Sequence, residues 1–180
     1  MSTRFVAFLR AINVGGRIVP MAELRTHFEA LGLTDVATFI ASGNVVFSSR
    51  AKAVPALAKR IASGLRGGLG YDVPVFIRTA AEVAAISKRQ PFTGPQMKYS
   101  RTFVVGLLAE PLAADATKAL LALQSDIDLF HVDGSEIYWT SRLGQSDSVI
   151  SNNMLEKTLK VRSTFRGMNT MVRLVEKFGF

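Results

Sequence analysis

VATFIASGNVVFSS, residues 36–49, decides the fold. Two β-rich runs flank Ser42-Gly43-Asn44, and because Gly and Asn tolerate positive φ, the stretch predicts a hairpin. What lies on either side determines which fold the hairpin serves. Upstream, residues 4–10 make a short strand with Arg4, Val6, Phe8 and Arg10 on one face. Pro20 then opens a helix whose buried stripe is Leu24, Phe28 and Leu31, and Gly32 closes it. Downstream, Val54, Leu57, Ile61 and Leu65 recur at helical spacing over 53–66, with Lys52, Lys59, Arg60 and Arg66 mostly outward. "GGLGYDVPVFIR" returns the chain to a strand near 73–78. Strand, helix, hairpin, helix, strand is the split βαβ, or ferredoxin-like, unit.

The second half repeats this order. Thr79-Ala-Ala-Glu82 is a capping box that starts a connecting helix, and "QPFTGPQMKYS" is a loop with two prolines. A strand near 101–108, a helix near 112–123 and a hairpin, "IDLFHVDGSEIYWTS", about Asp133-Gly134 follow. The turn glycines Gly43 and Gly134 are 91 residues apart, and the leading strands at Phe5 and Phe103 are offset by 98. Two helices finish the chain, one after residues 151–153 and one after Asn169-Thr170, where the second unit's last strand would fall. The expected fold is α+β: two tandem ferredoxin-like (split βαβ) subdomains from an internal duplication, the second modified at its C-terminus. Their spans are 1–90 and 91–180. Convergent αβ packing without shared ancestry would give the same order.

Composition narrows the function classes. The chain of 180 residues is 48% hydrophobic and 20% charged, which places it among globular proteins. The absence of cysteine excludes disulfides, thiolate metal sites and cysteine nucleophiles, and suits a cytoplasmic setting. The apolar run in "MSTRFVAFLR" is interrupted by Arg10 and has no cleavage site, so no signal peptide is expected. No stretch nears 18 apolar residues, so no membrane partner is expected. The net charge of +8 is uneven: residues 1–90 hold 12 Lys/Arg against 5 Asp/Glu, and residues 91–180 hold 10 against 9. A field of that sign favours anionic partners and also keeps a protein in solution.

Several residues are candidates for an anion site. Arg10 ends the first strand and is followed by Asn13, Gly15 and Gly16 ahead of a helix. Glycine-loop amides and an arginine fork can together hold an anion. The spacing fits neither Gly-x-Gly-x-x-Gly nor a P-loop, and an arginine satisfying loop carbonyls reads equally well. Arg166 in "TFRGMNT" precedes Asn169-Thr170, a pair able to cap the last helix. An arginine at a helix entrance opposes the macrodipole, unless an anion or a carboxylate such as Glu156 sits alongside. His27 and His131 lack partners at metal spacing and read as structural, so no metal is expected. Asp126, Asp128, Asp133 and Glu136 read as a solvated strand face. No Gly-x-Ser-x-Gly elbow, nucleophile or base stands out, so enzymatic activity and any cofactor are left open.

"FLRAINVGG", "VPMAELRTHFEALGLTDVATFIASGNVVFSS" and "RGMNT" resemble a bacterial family known as domain of unknown function 1697, over essentially the whole chain. The resemblance implies an α+β protein of two related subdomains without an established biochemical activity. The family pattern Leu-Arg-Gly-Ile-Asn-Val-Gly-Gly is met at Arg10, Asn13, Gly15 and Gly16, with Ala11 in place of a glycine. Its Ser-Gly-Asn is met at Ser42, Gly43 and Asn44. The turn itself accounts for those three residues, and a role for them in binding rests on the resemblance. In Thr-x-Arg-Asn-Trp-x-Thr, Arg166 and Thr170 hold their places, while Gly167 replaces asparagine and Met168 replaces tryptophan. Any stacking by that indole is lost here.

Three functional readings follow. The first gathers Arg10, Asn13, Gly15, Gly16, Ser42, Gly43, Asn44, Arg166, Asn169 and Thr170 around a small anionic ligand, phosphate-bearing or nucleotide-like. The second is nucleic-acid binding through the basic first half, with Phe8, Phe39 and Phe47 as candidate stacking residues. The third is a protein interaction module of unspecified oligomeric state.

Overall fold

A computed structural model describes residues 1–13, 15–41 and 43–180, so the expectation for Ser42 lies outside the described residues. The elements are β1 (Thr3–Leu9), α1 (Met21–Ala30), β2 (Thr34–Phe39), β3 (Asn44–Ser49), α2 (Val54–Leu69), β4 (Val75–Thr79), α3 (Ala80–Ser87) and α4 (Gly94–Met97). They continue with β5 (Thr102–Leu107), α5 (Ala114–Leu121), β6 (Asp128–Asp133), β7 (Glu136–Ser141), α6 (Asn152–Leu159), β8 (Thr164–Gly167) and α7 (Met168–Phe178). They form two four-stranded antiparallel sheets, β2-β3-β1-β4 and β6-β7-β5-β8. The matching orders bear out the tandem ferredoxin-like architecture. The chain divides into two compact units, Met1–Ala84 with Phe178–Phe180, and Ala85–Lys177. Among the described residues no helix is long and apolar enough to cross a membrane.

In the first unit, period-two alternation sends Phe5, Ala7, Leu9, Val45, Phe47 and Ile77 to one face of the sheet. There they meet Leu24 and Phe28 of α1 and Leu57, Ile61 and Leu65 of α2. The rings of Phe5 and Phe28 lie 5.7 and 5.6 Å from that of Phe47. α2 runs to Leu69, beyond the expected end at 66, because Gly67-Gly68 does not break it. A β-carbon at Gly68 would run into the His27 imidazole, and one at Gly64 would fall 2.8 Å from Leu31 Cδ2. Glycines one turn apart thus let α1 approach closely, and tertiary packing overrides low helix propensity. Gly70, at φ +80, ends the helix in the left-handed conformation.

The second unit builds an equivalent core from Val104, Phe130, Ile137, Trp139 and Leu155, with Phe165 packed against it. Trp139 Nε1 donates to Asp128 Oδ1 at 2.9 Å. Both side chains are buried, so Asp128 departs from the solvated carboxylate face expected of the second hairpin. It is the acceptor that lets an indole N–H enter the core. Asp133 takes an ion pair from Arg89 at 2.6 Å, with both side chains half-exposed.

Two local expectations change. β8 occupies Thr164–Gly167, where only helices were expected, and α7 starts at Met168, so Asn169 and Thr170 lie in its first turn rather than before it. The second unit therefore has its fourth strand. α4 interrupts the loop at 90–100, capped by Thr93 and Gln96 in a reciprocal capping box. The predicted box at Thr79 and Glu82 is present at the start of α3.

Candidate functional site

In the first unit, the loop after β1 and the β2–β3 turn meet at one corner. Leu9 N donates to Gly43 O at 2.8 Å and Arg10 N to Pro74 O at 3.0 Å, so the first strand ends tied to both neighbours. Asn13 spans the corner: its Nδ2 donates to Ala41 O at 2.7 Å, and its Oδ1 accepts from Val19 N at 2.8 Å. Buried Asn44 donates to Phe39 O at 3.0 Å within its own hairpin. Gly43 sits at φ +77, and a β-carbon there would fall 2.7 Å from Ile12 Cγ2. Asn13 holds main chain that lies outside the sheet, and Asn44 ties the last residue of β2 to the first of β3. Gly15 and Gly16 are exposed and left-handed, and Arg10, five residues before Gly15 in the chain, is half-buried. Ala11 at φ +55 and Ile40 at φ +48 are also left-handed, which places strained backbone on both arms of the corner. A glycine at position 11 would adopt that angle without strain.

In the second unit, Arg166 is buried, and its Nη1 donates to Thr164 Oγ1 at 2.8 Å and to Phe165 O at 2.9 Å. Burial lowers its pKa to about 10, so the guanidinium stays charged at neutral pH in a poorly hydrated setting. Glu156, the carboxylate considered for it, accepts from Ser163 N at 2.7 Å. Asn169 is exposed and Thr170 half-buried.

Asn169 lines a cleft of about 530 Å³ at the start of α7, together with Gly167, Met168 and residues of the segment entering β5. Arg101 and Ser100 supply polar groups there, and Phe103 and Val104 supply apolar ones. Arg101 is exposed and has no ion-pair partner among the described residues. Met168 lines the cleft where the family pattern carries tryptophan, and it is otherwise buried. Sequence reasoning missed Arg101, because it read only as the first residue of a strand.

The duplication also exposes a residue that sequence reasoning passed over. Arg78 in β4 stands opposite Val6, as Arg166 in β8 stands opposite Val105. Both arginines are buried, and each donates from Nη1 to the carbonyl of the residue before it at 2.9 Å. Each lies two residues before the helix that follows. The 88-residue offset between two Arg-to-helix junctions is the sequence signal that would have found the pair.

Comparison with known proteins agrees with this architecture. A solved structure of the conserved bacterial protein SP0830 from Streptococcus pneumoniae superposes with a TM-score of 0.72 at 22% identity, covering 100% of each chain. At that identity the likeness speaks to the fold alone. No match is found among curated proteins. Residues 2–138, well over half the length and including both motifs of the first unit, match the family described as "Protein of unknown function (DUF1697)", and the chain belongs to that family.

Proposed function

We propose that this protein binds a small anionic ligand, phosphate-bearing or nucleotide-like, in the cleft at the start of α7. The observation that carries the reading is Arg101, an exposed guanidinium without an ion-pair partner among the described residues, on a cleft that also takes in the first turn of α7. Helix N-termini favour negative charge through their free amides and macrodipole, and Asn169 adds a side-chain amide at the same place. Phe103, Val104 and Met168 would contact the uncharged part of a ligand. Arg10 with the exposed loop of Gly15 and Gly16, braced by Asn13, Gly43 and Asn44, is the second place where this reading puts an anion. Arg166 and Thr170 would support the first. Nucleic-acid binding through a sheet face is less well supported, because Phe8, Phe39 and Phe47 are all buried.

The test is a thermal-shift panel of inorganic phosphate, pyrophosphate, ribose 5-phosphate and ribonucleoside monophosphates against wild type, Arg101→Ala and Arg10→Ala. A ligand at a hundred times its Kd adds about 2.7 kcal/mol. For a chain of this size that raises Tm by about 5–10 °C. The shift is expected to fall sharply in Arg101→Ala, and any part that survives there is expected to be lost in Arg10→Ala. No shift from any compound, or a shift in Arg101→Ala as large as in wild type, would overturn the proposal.

A further inference from the structure

The segment that leads from α4 into β5 carries a feature the cleft alone does not explain. Tyr99 is 61% exposed. Two cations attend its ring: Lys98 Nζ is 5.3 Å from the centroid and Arg142 Cζ is 5.9 Å away. Two residues further on, Arg101 lines the larger cleft. Arg142 lines a second, smaller cleft of about 190 Å³ together with Gln96 and Asp126. Lys98, Arg101 and Arg142 all lack an ion-pair partner among the described residues, although Asp126 shares a cleft with one of them. Met97, Ser100 and Arg101 thus line the larger cleft and Gln96 and Arg142 the smaller, and the exposed ring of Tyr99, which lines neither, stands between them in the chain beside unneutralised positive charge.

An exposed ring gathers little packing energy from its own fold, and cations beside it draw anions toward it. An aromatic face next to positive charge is the arrangement that holds a base and its phosphate at once. We infer that the anionic ligand is a nucleotide, with its base stacked on Tyr99 and its phosphate held by Arg101. This rests on the anion-binding reading and adds to it a residue and a ligand class. Inorganic phosphate or a sugar phosphate would use Arg101 but offers nothing for the ring to stack on.

Calorimetric titration of the four ribonucleoside 5′-monophosphates, with ribose 5-phosphate as the control without a base, separates the two claims. The proteins are wild type, Tyr99→Ala, Tyr99→Trp and Arg101→Ala. For at least one nucleotide, Tyr99→Ala is expected to raise Kd at least about fivefold. Tyr99→Trp should hold or improve that affinity, ribose 5-phosphate should not distinguish Tyr99→Ala from wild type, and Arg101→Ala should weaken both ligand types. Unchanged nucleotide affinity in Tyr99→Ala with a loss in Arg101→Ala would overturn the stacking and leave the anion site standing. An equal loss of nucleotide and ribose 5-phosphate in Tyr99→Ala would likewise overturn stacking, since the ring would then act on the phosphate site. No binding of any of these compounds by wild type would overturn both claims.

Discussion

Replacing Gly106 with alanine tests how the strand that carries Arg166 is held. Gly106 of β5 stands directly opposite Phe165 of β8. A β-carbon there would lie 2.5 Å from Phe165 Cζ, 2.6 Å from Cε1 and 3.0 Å from Cε2. Ordinary carbon contacts fall at about 3.5–4.0 Å, so the ring would have to retreat by about 1 Å. Trp139 packs edge-on against that ring, with centroids 6.1 Å apart and planes at 86°. Crowding of this kind costs about 1–3 kcal/mol. Alanine in place of a strand glycine returns about 0.5–1 kcal/mol, so Gly106→Ala should destabilise by about 1 kcal/mol and by no more than about 2.5 kcal/mol. With Phe165→Ala already in place the crowding is gone, and the same change should stabilise by about 0.5–1 kcal/mol. Urea unfolding followed by the fluorescence of Trp139, the only tryptophan in the chain, reads all four proteins of the cycle. A Gly106→Ala effect of the same sign and size in both backgrounds would refute the reasoning.

Asp128→Ala strands the buried indole N–H of Trp139 and should cost about 1–3 kcal/mol, while Asp128→Asn keeps an acceptor and should cost clearly less; the same unfolding assay compares them. In the first unit, Ala11→Gly relieves a left-handed residue at the expense of a more flexible unfolded chain, for a net gain of about 0.5–1 kcal/mol. Gly43→Ala at the same corner adds left-handed strain and a collision with Ile12, and should lose about 2–4 kcal/mol in differential scanning calorimetry or urea titration.

What was legible in the sequence was local. The two hairpins announce themselves through turn residues between β-rich runs, and α1 and α2 through apolar residues at helical spacing, so the order of elements in both halves could be written down. β8 could not. Its four residues show no useful alternation, and Asn169-Thr170 imitates a cap; only pairing with β5 makes Thr164–Gly167 a strand. α4 hid behind Gly94-Pro95, although Thr93 and Gln96 have capping-box spacing. The candidate site was half legible. The meeting of Asn13 with the β2–β3 turn could be anticipated, because both motifs lie at the same end of adjacent strands. The cleft of Arg101 and Asn169 could not, since it joins residues 68 positions apart through strand pairing that sequence spacing does not reveal.

The matched arginines give the molecule a built-in reference. Arg78 and Arg166 share a strand position, a main-chain acceptor and the distance to the next helix. Whatever a guanidinium contributes merely by sitting inside such a sheet should be common to the two halves. Comparing the same substitution at both positions therefore subtracts the architectural contribution, and the remainder is what distinguishes the second half from the first.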